Sequence, residues 1–211
     1  MPKYFEKNIY LSKLSSISLI SQKVKVCIIG GGKAGYLKAK GFVKRGCSVY
    51  VVSDKFIDSF NLLKNNDIYF INMQYSEEVI IDKHLIIIAI DNDEKIKEII
   101  EHCNKYSKLY VVCKNAQYGN TIIPMQETFE DFHIAINTLN GNPTFARFLM
   151  QRFINNTKKY LDFYKYSQKI REKIKNSNNK ELIKTIMNYL NSDKFYEAYT
   201  LIRNEDILNE D

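Results

Sequence analysis

The segment Gly30-Gly31-Gly32-Lys33-Ala34-Gly35 follows the β-branched run at residues 24–29 without a spacer and opens a helix-patterned stretch at residues 33–45. This G-x-G-x-x-G spacing constrains the chain more than any other feature. It demands a strand that ends in a turn too tight for a side chain, followed at once by a helix whose first N–H groups are exposed. Dinucleotide binding is the chemistry that such a junction serves. Gly30 allows the tight turn, Gly32 lets backbone N–H groups approach a pyrophosphate, and Gly35 lets the helix pack on the strand. Gly31, Lys33 and Ala34 complete the loop, and the open N–H groups at the helix start favour an anionic diphosphate. The next strand-like run, residues 48–52, leads into Ser53 and Asp54. Asp54 is the candidate partner of the ribose hydroxyls, which favours NAD over NADP; a turn or helix-cap carboxylate is its other reading. Ser53 offers the same contact more weakly.

The rest of the first 124 residues continues the alternation. Strands are expected at 67–71, 85–90 and 109–113, and a helix at 94–106 with Ile96, Ile99, Ile100 and Cys103 on one face. The uninterrupted apolar run at 85–90 is the pattern of a strand covered on both faces of a parallel sheet. These features predict an α/β class: a Rossmann-like parallel-sheet domain at 1–124, a strand and loop dimerisation region at 125–143, and a helical domain at 144–211. In the middle region residues 132–136 read as a strand whose edge needs a partner. Beyond Pro143 the chain contains no further Pro or Gly. Phe145, Phe148, Leu149, Phe153 and Leu161 form one apolar stripe there, Leu182 to Leu190 a second, and Phe195, Tyr199 and Ile202 a third, with a loop at 176–179.

Charge separates within the helical part. The chain carries 31 basic and 24 acidic residues, and residues 144–184 hold 11 basic against 3 acidic side chains. Such a segment attracts polyanions, but no nucleic-acid-reading motif accompanies it. The longest apolar run has six residues, far below the ~20 needed to span a bilayer, and the first seven residues lack the apolar core of a secretory signal. Cys27, Cys47, Cys103 and Cys113 show no C-x-x-C spacing, so neither a disulfide nor a metal site is expected. A cytoplasmic protein that contacts neither membrane nor nucleic acid is the expectation.

The order of motifs resembles the precorrin-2 dehydrogenase/sirohydrochlorin ferrochelatase family, the N-terminal module of siroheme synthases. Residues 26–38, Val-Cys-Ile-Ile-Gly-Gly-Gly-Lys-Ala-Gly-Tyr-Leu-Lys, are similar to that family's V-x-V-V-G-G-G-x-V-A-x-x-K. Residues 89–93, Ala-Ile-Asp-Asn-Asp, are similar to its A-T-[DN]-[DN], and Pro124 matches a proline before its dimerisation region. Residues 137–147, Asn-Thr-Leu-Asn-Gly-Asn-Pro-Thr-Phe-Ala-Arg, resemble S-T-x-G-x-S-P-x-L-A-R, which a generic dinucleotide fold has no need of. The resemblance spans roughly residues 8 to 205. It implies NAD as cofactor, a homodimer, a helical domain covering a tetrapyrrole cleft, and oxidation of precorrin-2 to sirohydrochlorin. Thr138, Asn142, Arg147 and Arg152 are the implied contacts to the anionic tetrapyrrole.

One departure bears on the chemistry. Asn115 stands where the family carries the Asp taken as its acid/base, and an amide cannot accept a proton near neutral pH. Dehydrogenation survives this change more easily than insertion of Fe²⁺ as a second substrate, which must expel two pyrrole protons. Asp91 and His133 are the candidate substitutes, Asp91 first. Two other readings stay open: a catalytically reduced homologue that binds a tetrapyrrole or metal, and a regulatory NAD-binding module.

Overall fold

The computed structural model describes residues 14–208 except 65, 140, 176–179 and 191. The first seven residues, on which the expectation about a secretory signal rests, and the loop expected at 176–179 lie outside the described residues. The chain divides into two compact units. One runs to Pro124 and takes in Leu139–Gly141; the other holds Met125–Thr138 and continues from Asn142.

The first unit is a five-stranded parallel sheet in the order β3-β2-β1-β4-β5. Its strands are β1 (Lys25–Ile29), β2 (Ser48–Ser53), β3 (Ile68–Asn72), β4 (Leu85–Ile88) and β5 (Leu109–Val112). The register aligns Val26 with Val49 on one side of β1 and with Leu85 on the other. Helices α1 (Lys33–Lys44) and α2 (Asp93–Lys105) cover opposite faces. The period-2 pleat explains why the strands are apolar throughout. Val26, Ile28, Leu85 and Ile87 join the cluster around Ala39 and Phe42 of α1. Their neighbours Cys27, Ile29, Ile86 and Ile88 join the cluster around Ile96, Ile99, Ile100 and Cys103 of α2. The four residues expected on one helical face are therefore the four that α2 buries. Gly46, at φ +84°, ends the first helical stretch, its N–H donating to the Val43 carbonyl at 2.9 Å.

The second unit begins with an antiparallel hairpin, β6 (Met125–Phe129) and β7 (Phe132–Ile136). The strand at 132–136 lies where the sequence puts it, but β6 is unforeseen. Its residues Met-Gln-Glu-Thr-Phe are mixed in polarity and lack a β-branched run, which hid it. The edge expected to need a partner is paired on one side by this same chain, through a two-residue turn with Glu130 at φ +49°.

Four helices follow: α3 (Pro143–Thr157), α4 (Leu161–Lys175), α5 (Lys180–Leu190) and α6 (Asp193–Leu208). Asn142 caps α3, its side-chain oxygen accepting from the Phe145 N–H at 2.9 Å, and Pro143 occupies the first turn. The later helices meet through aromatic rings, Phe163 against Phe195 and Tyr199 at 5.2 Å each and Tyr189 against Phe195 at 5.5 Å. The first apolar stripe does not behave as core. α3 buries Ala146 and Met150, whereas Phe145 and Phe148 are 50% exposed and Phe153 53%. Among the described residues, the helix is turned so that its small and flexible residues are buried and its phenylalanines are left half exposed.

Candidate functional site

Parallel strands deliver their loops to one edge of the sheet, and the loops after β1 and β4 leave in opposite directions at the point where strand order reverses. Gly30 stands at that point. Its N–H donates to the Val52 carbonyl of β2 at 2.9 Å, and the Ala89 N–H beyond β4 donates to the Ile29 carbonyl at 2.8 Å. Gly30 adopts φ +121°, and a Cβ on it would collide with the Ala89 carbonyl. Gly35 lies under the turn, where a Cβ would strike the Gly30 carbonyl. At Gly32 the opposite holds: apart from Gly32 and its two chain neighbours, no heavy atom lies within 4 Å of the position a Cβ would take. Two of the glycines thus close the turn, and the third leaves room over it.

The room faces the start of α1. Gly32 is the N-cap residue, no side chain caps the helix, and its first turn contains no acidic residue. The first intrahelical bond runs from the Tyr36 N–H to the Gly32 carbonyl at 3.0 Å. The N–H groups of Lys33, Ala34 and Gly35 therefore precede the helical ladder, and a bound anion suits them. Lys33 and Ala34 are exposed.

Two cavities flank Gly30. One, of about 270 Å³, is lined by Ser53, Asp54, Met73, Gln74, Tyr75 and Lys95. The other, of about 400 Å³, is lined by Gly31, Gly32, Lys55, Phe56, Ala89 and Asp91. Gly30, Ser53 and Ile90 border both. Asp54 is exposed and lies one residue beyond the end of β2. The Ser53 hydroxyl is committed elsewhere, donating to the Lys55 carbonyl at 2.8 Å. With its amide turned to donate, Asn72 at the end of β3 reaches the carbonyls of Ser53 and Asp54 at 3.3 and 3.1 Å and supports their loop. Tyr75 stacks on His102 and hydrogen-bonds its Nδ1 at 3.0 Å; burial raises its phenol pKa, so the ring enters the cavity neutral.

Asp91 is exposed beside the glycine turn. Its carbonyl accepts from the Lys114 ammonium at 2.9 Å, and the same ammonium pairs with Asp93 at 2.7 Å. Lys114 thereby ties the loop after β4 to the loop after β5, where Asn115 is half-buried. The Asn115 side-chain oxygen accepts from the Gln117 N–H at 3.0 Å and caps a short 3-10 turn, Ala116–Tyr118. The sheet thus brings Asp91 to the glycines and puts Asn115 beyond the neighbouring strand. The thiols near the sheet offer no nucleophile: burial pushes Cys27 and Cys103 up to about 12.

The remaining candidates belong to the second unit. The Thr138 hydroxyl accepts from the Asn142 N–H at 2.6 Å, and the Asn142 side chain caps α3, so both organise the loop before that helix. Asn and Ser are near-equal N-caps, so the cap does not depend on which of the two stands here. Arg147 and Arg152 are exposed on α3; the Arg152 guanidinium lies 5.3 Å from the Phe148 ring centroid. His133 pairs across the hairpin with the Thr128 hydroxyl at 3.1 Å. Sequence reading passed over Lys55, Asn72, Tyr75 and Lys95. They share no motif: Lys55, Asn72 and Tyr75 lie at or just beyond the ends of β2 and β3, and Lys95 lies in the first turn of α2, a grouping that becomes visible once the strand order is known.

Comparison with known proteins agrees with this geometry. Residues 17–125 match the family model described as "Putative NAD(P)-binding". Among solved structures, a precorrin-2 dehydrogenase, SirC, is similar in fold over 93% of this chain and 98% of its own, with a TM-score of 0.65 and 19% identity. A D-isomer-specific 2-hydroxyacid dehydrogenase from Lactobacillus delbrueckii ssp. bulgaricus, in its NAD-complexed form, is similar over 46% of this chain and 28% of its own, with a TM-score of 0.35 and 15% identity. No curated protein matches the chain in sequence.

Proposed function

For a chain that belongs to the NAD(P)-binding family whose model spans residues 17–125, we propose a dehydrogenase that oxidises precorrin-2 to sirohydrochlorin with NAD as hydride acceptor, in the cytoplasm. The carrying observation is that the fold likeness to a precorrin-2 dehydrogenase extends over 93% of the chain, beyond the nucleotide unit into the helical one. The sequence motif at residues 137–147 has its two ends, 137–138 and 142–147, in that second unit and points to the same relative.

Bound NAD⁺ supplies a two-electron acceptor. The open space at Gly32 and the uncapped N–H groups at the start of α1 are the cradle that its diphosphate fills. Asp54 accepts from the ribose hydroxyls and disfavours a 2′-phosphate by charge. Ile90 and Tyr75 line the adjoining cavity, where an apolar ring system loses water. Oxidation of precorrin-2 would give up a hydride to such an acceptor and also release one proton. Asp91, exposed beside Gly30–Gly32, takes that proton. Arg147 and Arg152 bind carboxylates of the substrate, helped by the start of α3. Because the Asn115 amide accepts no proton and its oxygen caps a turn, insertion of Fe²⁺ is absent or slow. The protein assembles as a homodimer through the hairpin region and the exposed phenylalanines of α3.

The test is anaerobic incubation of the protein with precorrin-2 and either NAD⁺ or NADP⁺, followed by NADH absorbance. NADH formation that requires precorrin-2, with NAD⁺ preferred, supports the proposal. Nucleotide binding without any tetrapyrrole-dependent reduction would instead favour the regulatory module.

A further inference from the structure

The loop after β2 carries a cation that the glycine motif does not explain. The backbone of Lys55 is held between the end of β2 and the glycine turn. Its carbonyl accepts from the Ser53 hydroxyl at 2.8 Å, its N–H donates to the same oxygen at 3.4 Å, and two residues on the Ile57 N–H donates to the Gly31 carbonyl at 3.0 Å. The approach is so close that a Cβ on Gly31 would strike the Lys55 carbonyl. Lys55 is exposed and lines the cavity that contains Gly30, Gly31 and Gly32, whereas its neighbour Asp54 lines the cavity that contains Met73, Gln74 and Tyr75. Among the described residues no ion pair engages the Lys55 ammonium.

Charge accounting makes this placement meaningful. A dinucleotide diphosphate brings two negative charges, and a helix N-terminus answers them with about half an elementary charge. The first turn of α1 adds Lys33 and no acidic residue. A second cation anchored across the turn completes the neutralisation from the other side.

We propose that Lys55 is a cofactor-binding residue whose ammonium engages the dinucleotide diphosphate, while Asp54 beside it serves the ribose. The inference rests on the nicotinamide-cofactor reading above and adds a contact that the G-x-G-x-x-G motif does not include. The two adjacent residues divide the cofactor between them: the carboxylate turns a 2′-phosphate away, and the ammonium holds the part common to NAD and NADP.

Calorimetric titration of the full chain with NAD⁺, ADP-ribose and NADP⁺ tests this, using wild type, Lys55→Met and Lys55→Arg. Lys55→Met should weaken all three ligands by a similar factor, about tenfold for a lost charge-assisted contact. It should also reduce the salt dependence of NAD⁺ binding. Lys55→Arg should keep most of the affinity. The backbone bonds of residue 55 are retained in both variants, so an unchanged melting temperature is expected. Equal NAD⁺ affinity in wild type and Lys55→Met overturns the inference, as does a loss confined to NADP⁺, which would make Lys55 a reader of the 2′-phosphate. Wild type that binds no NAD⁺ overturns the cofactor reading itself, a result distinct from either.

Discussion

In the nucleotide unit, Val26 and Ile28 of β1 face one helix, Cys27 and Ile29 face another, and all four are at most 3% exposed. In the second unit, α3 buries Ala146 and Met150 and leaves three phenylalanines half in solvent. The central strands of the first unit bury their apolar residues on both faces, although Ile17 and Leu62 elsewhere in it stay exposed, and the unit keeps open space at Gly32 and in the two cavities around Gly30. The second spends its rings partly on itself and presents the remainder. Surface phenylalanines at helical spacing are the mark of an interaction face more than of a finished core. On the proposed function, this contrast is a division of labour: the nucleotide unit would hold the cofactor, and the exposed rings of the helical unit would serve the substrate and a second protomer.

The comparison can be broken most severely at the glycines, which differ although they belong to one motif. Gly35→Val places a side chain against the Gly30 carbonyl and should cost roughly 3–5 kcal/mol of stability in denaturant unfolding. Gly32→Val meets open space and should leave stability nearly unchanged while weakening NAD⁺ binding at least ~100-fold, since the new side chain takes the diphosphate's place. Equal destabilisation by both would erase the distinction between a packing glycine and a binding glycine.

Core and interaction face are separated by a second pair. Ile99 is 0% exposed, and Ile99→Ala should lose about 2–5 kcal/mol. Phe148→Ala should change the stability of the monomer by less than ~1 kcal/mol. It should nevertheless shift light-scattering mass toward the 24.8 kDa monomer, because aromatic rings dominate interfaces. A monomeric wild type would remove the homodimer from the account.

Much of the nucleotide unit is legible in the sequence because its signals are local. β-branched runs mark β1, β2, β4 and β5, and the spacing of Ile96, Ile99, Ile100 and Cys103 selects the buried face of α2. The turn glycines announce themselves by their order. What escapes is what depends on partners distant in sequence. Met125–Phe129 becomes a strand by pairing with Phe132–Ile136, although its own composition is mixed. The orientation of α3 follows from which face meets the hairpin, so the stripe from Phe145 to Phe153 gives the period but not the side. Lys55, Asn72 and Tyr75 surround the candidate site because the loops after β2 and β3 end at one edge of the sheet.

Smaller effects sharpen the chemistry. Asn115→Asp keeps the oxygen that caps the turn at Ala116–Tyr118, so stability should change by less than about 0.5 kcal/mol, Asn and Asp being near-equal caps. A restored carboxylate should raise Fe²⁺ insertion into sirohydrochlorin by up to ~10². Efficient insertion by the wild type would place the base elsewhere. The buried thiols give a pH signature. With Cys27 and Cys103 raised from 9.0 to about 12 in the folded state, the unfolded chain loses these protons first as pH rises. Their contribution is intact below pH 9 and is lost between 9 and about 12, so chemical stability should fall over that range. Cys103→Val should flatten the decline, and an equally steep profile in that variant would assign it to other groups.

The most direct test of the central claim, that the glycine edge of the sheet holds the oxidant for a tetrapyrrole, is the stoichiometry of a single anaerobic turnover. The wild-type protein with limiting precorrin-2 and excess NAD⁺ should form one NADH for each sirohydrochlorin, and Gly32→Val, folded and still able to bind sirohydrochlorin, should form neither. Sirohydrochlorin appearing without NADH, or undiminished NADH formation in Gly32→Val, would contradict it.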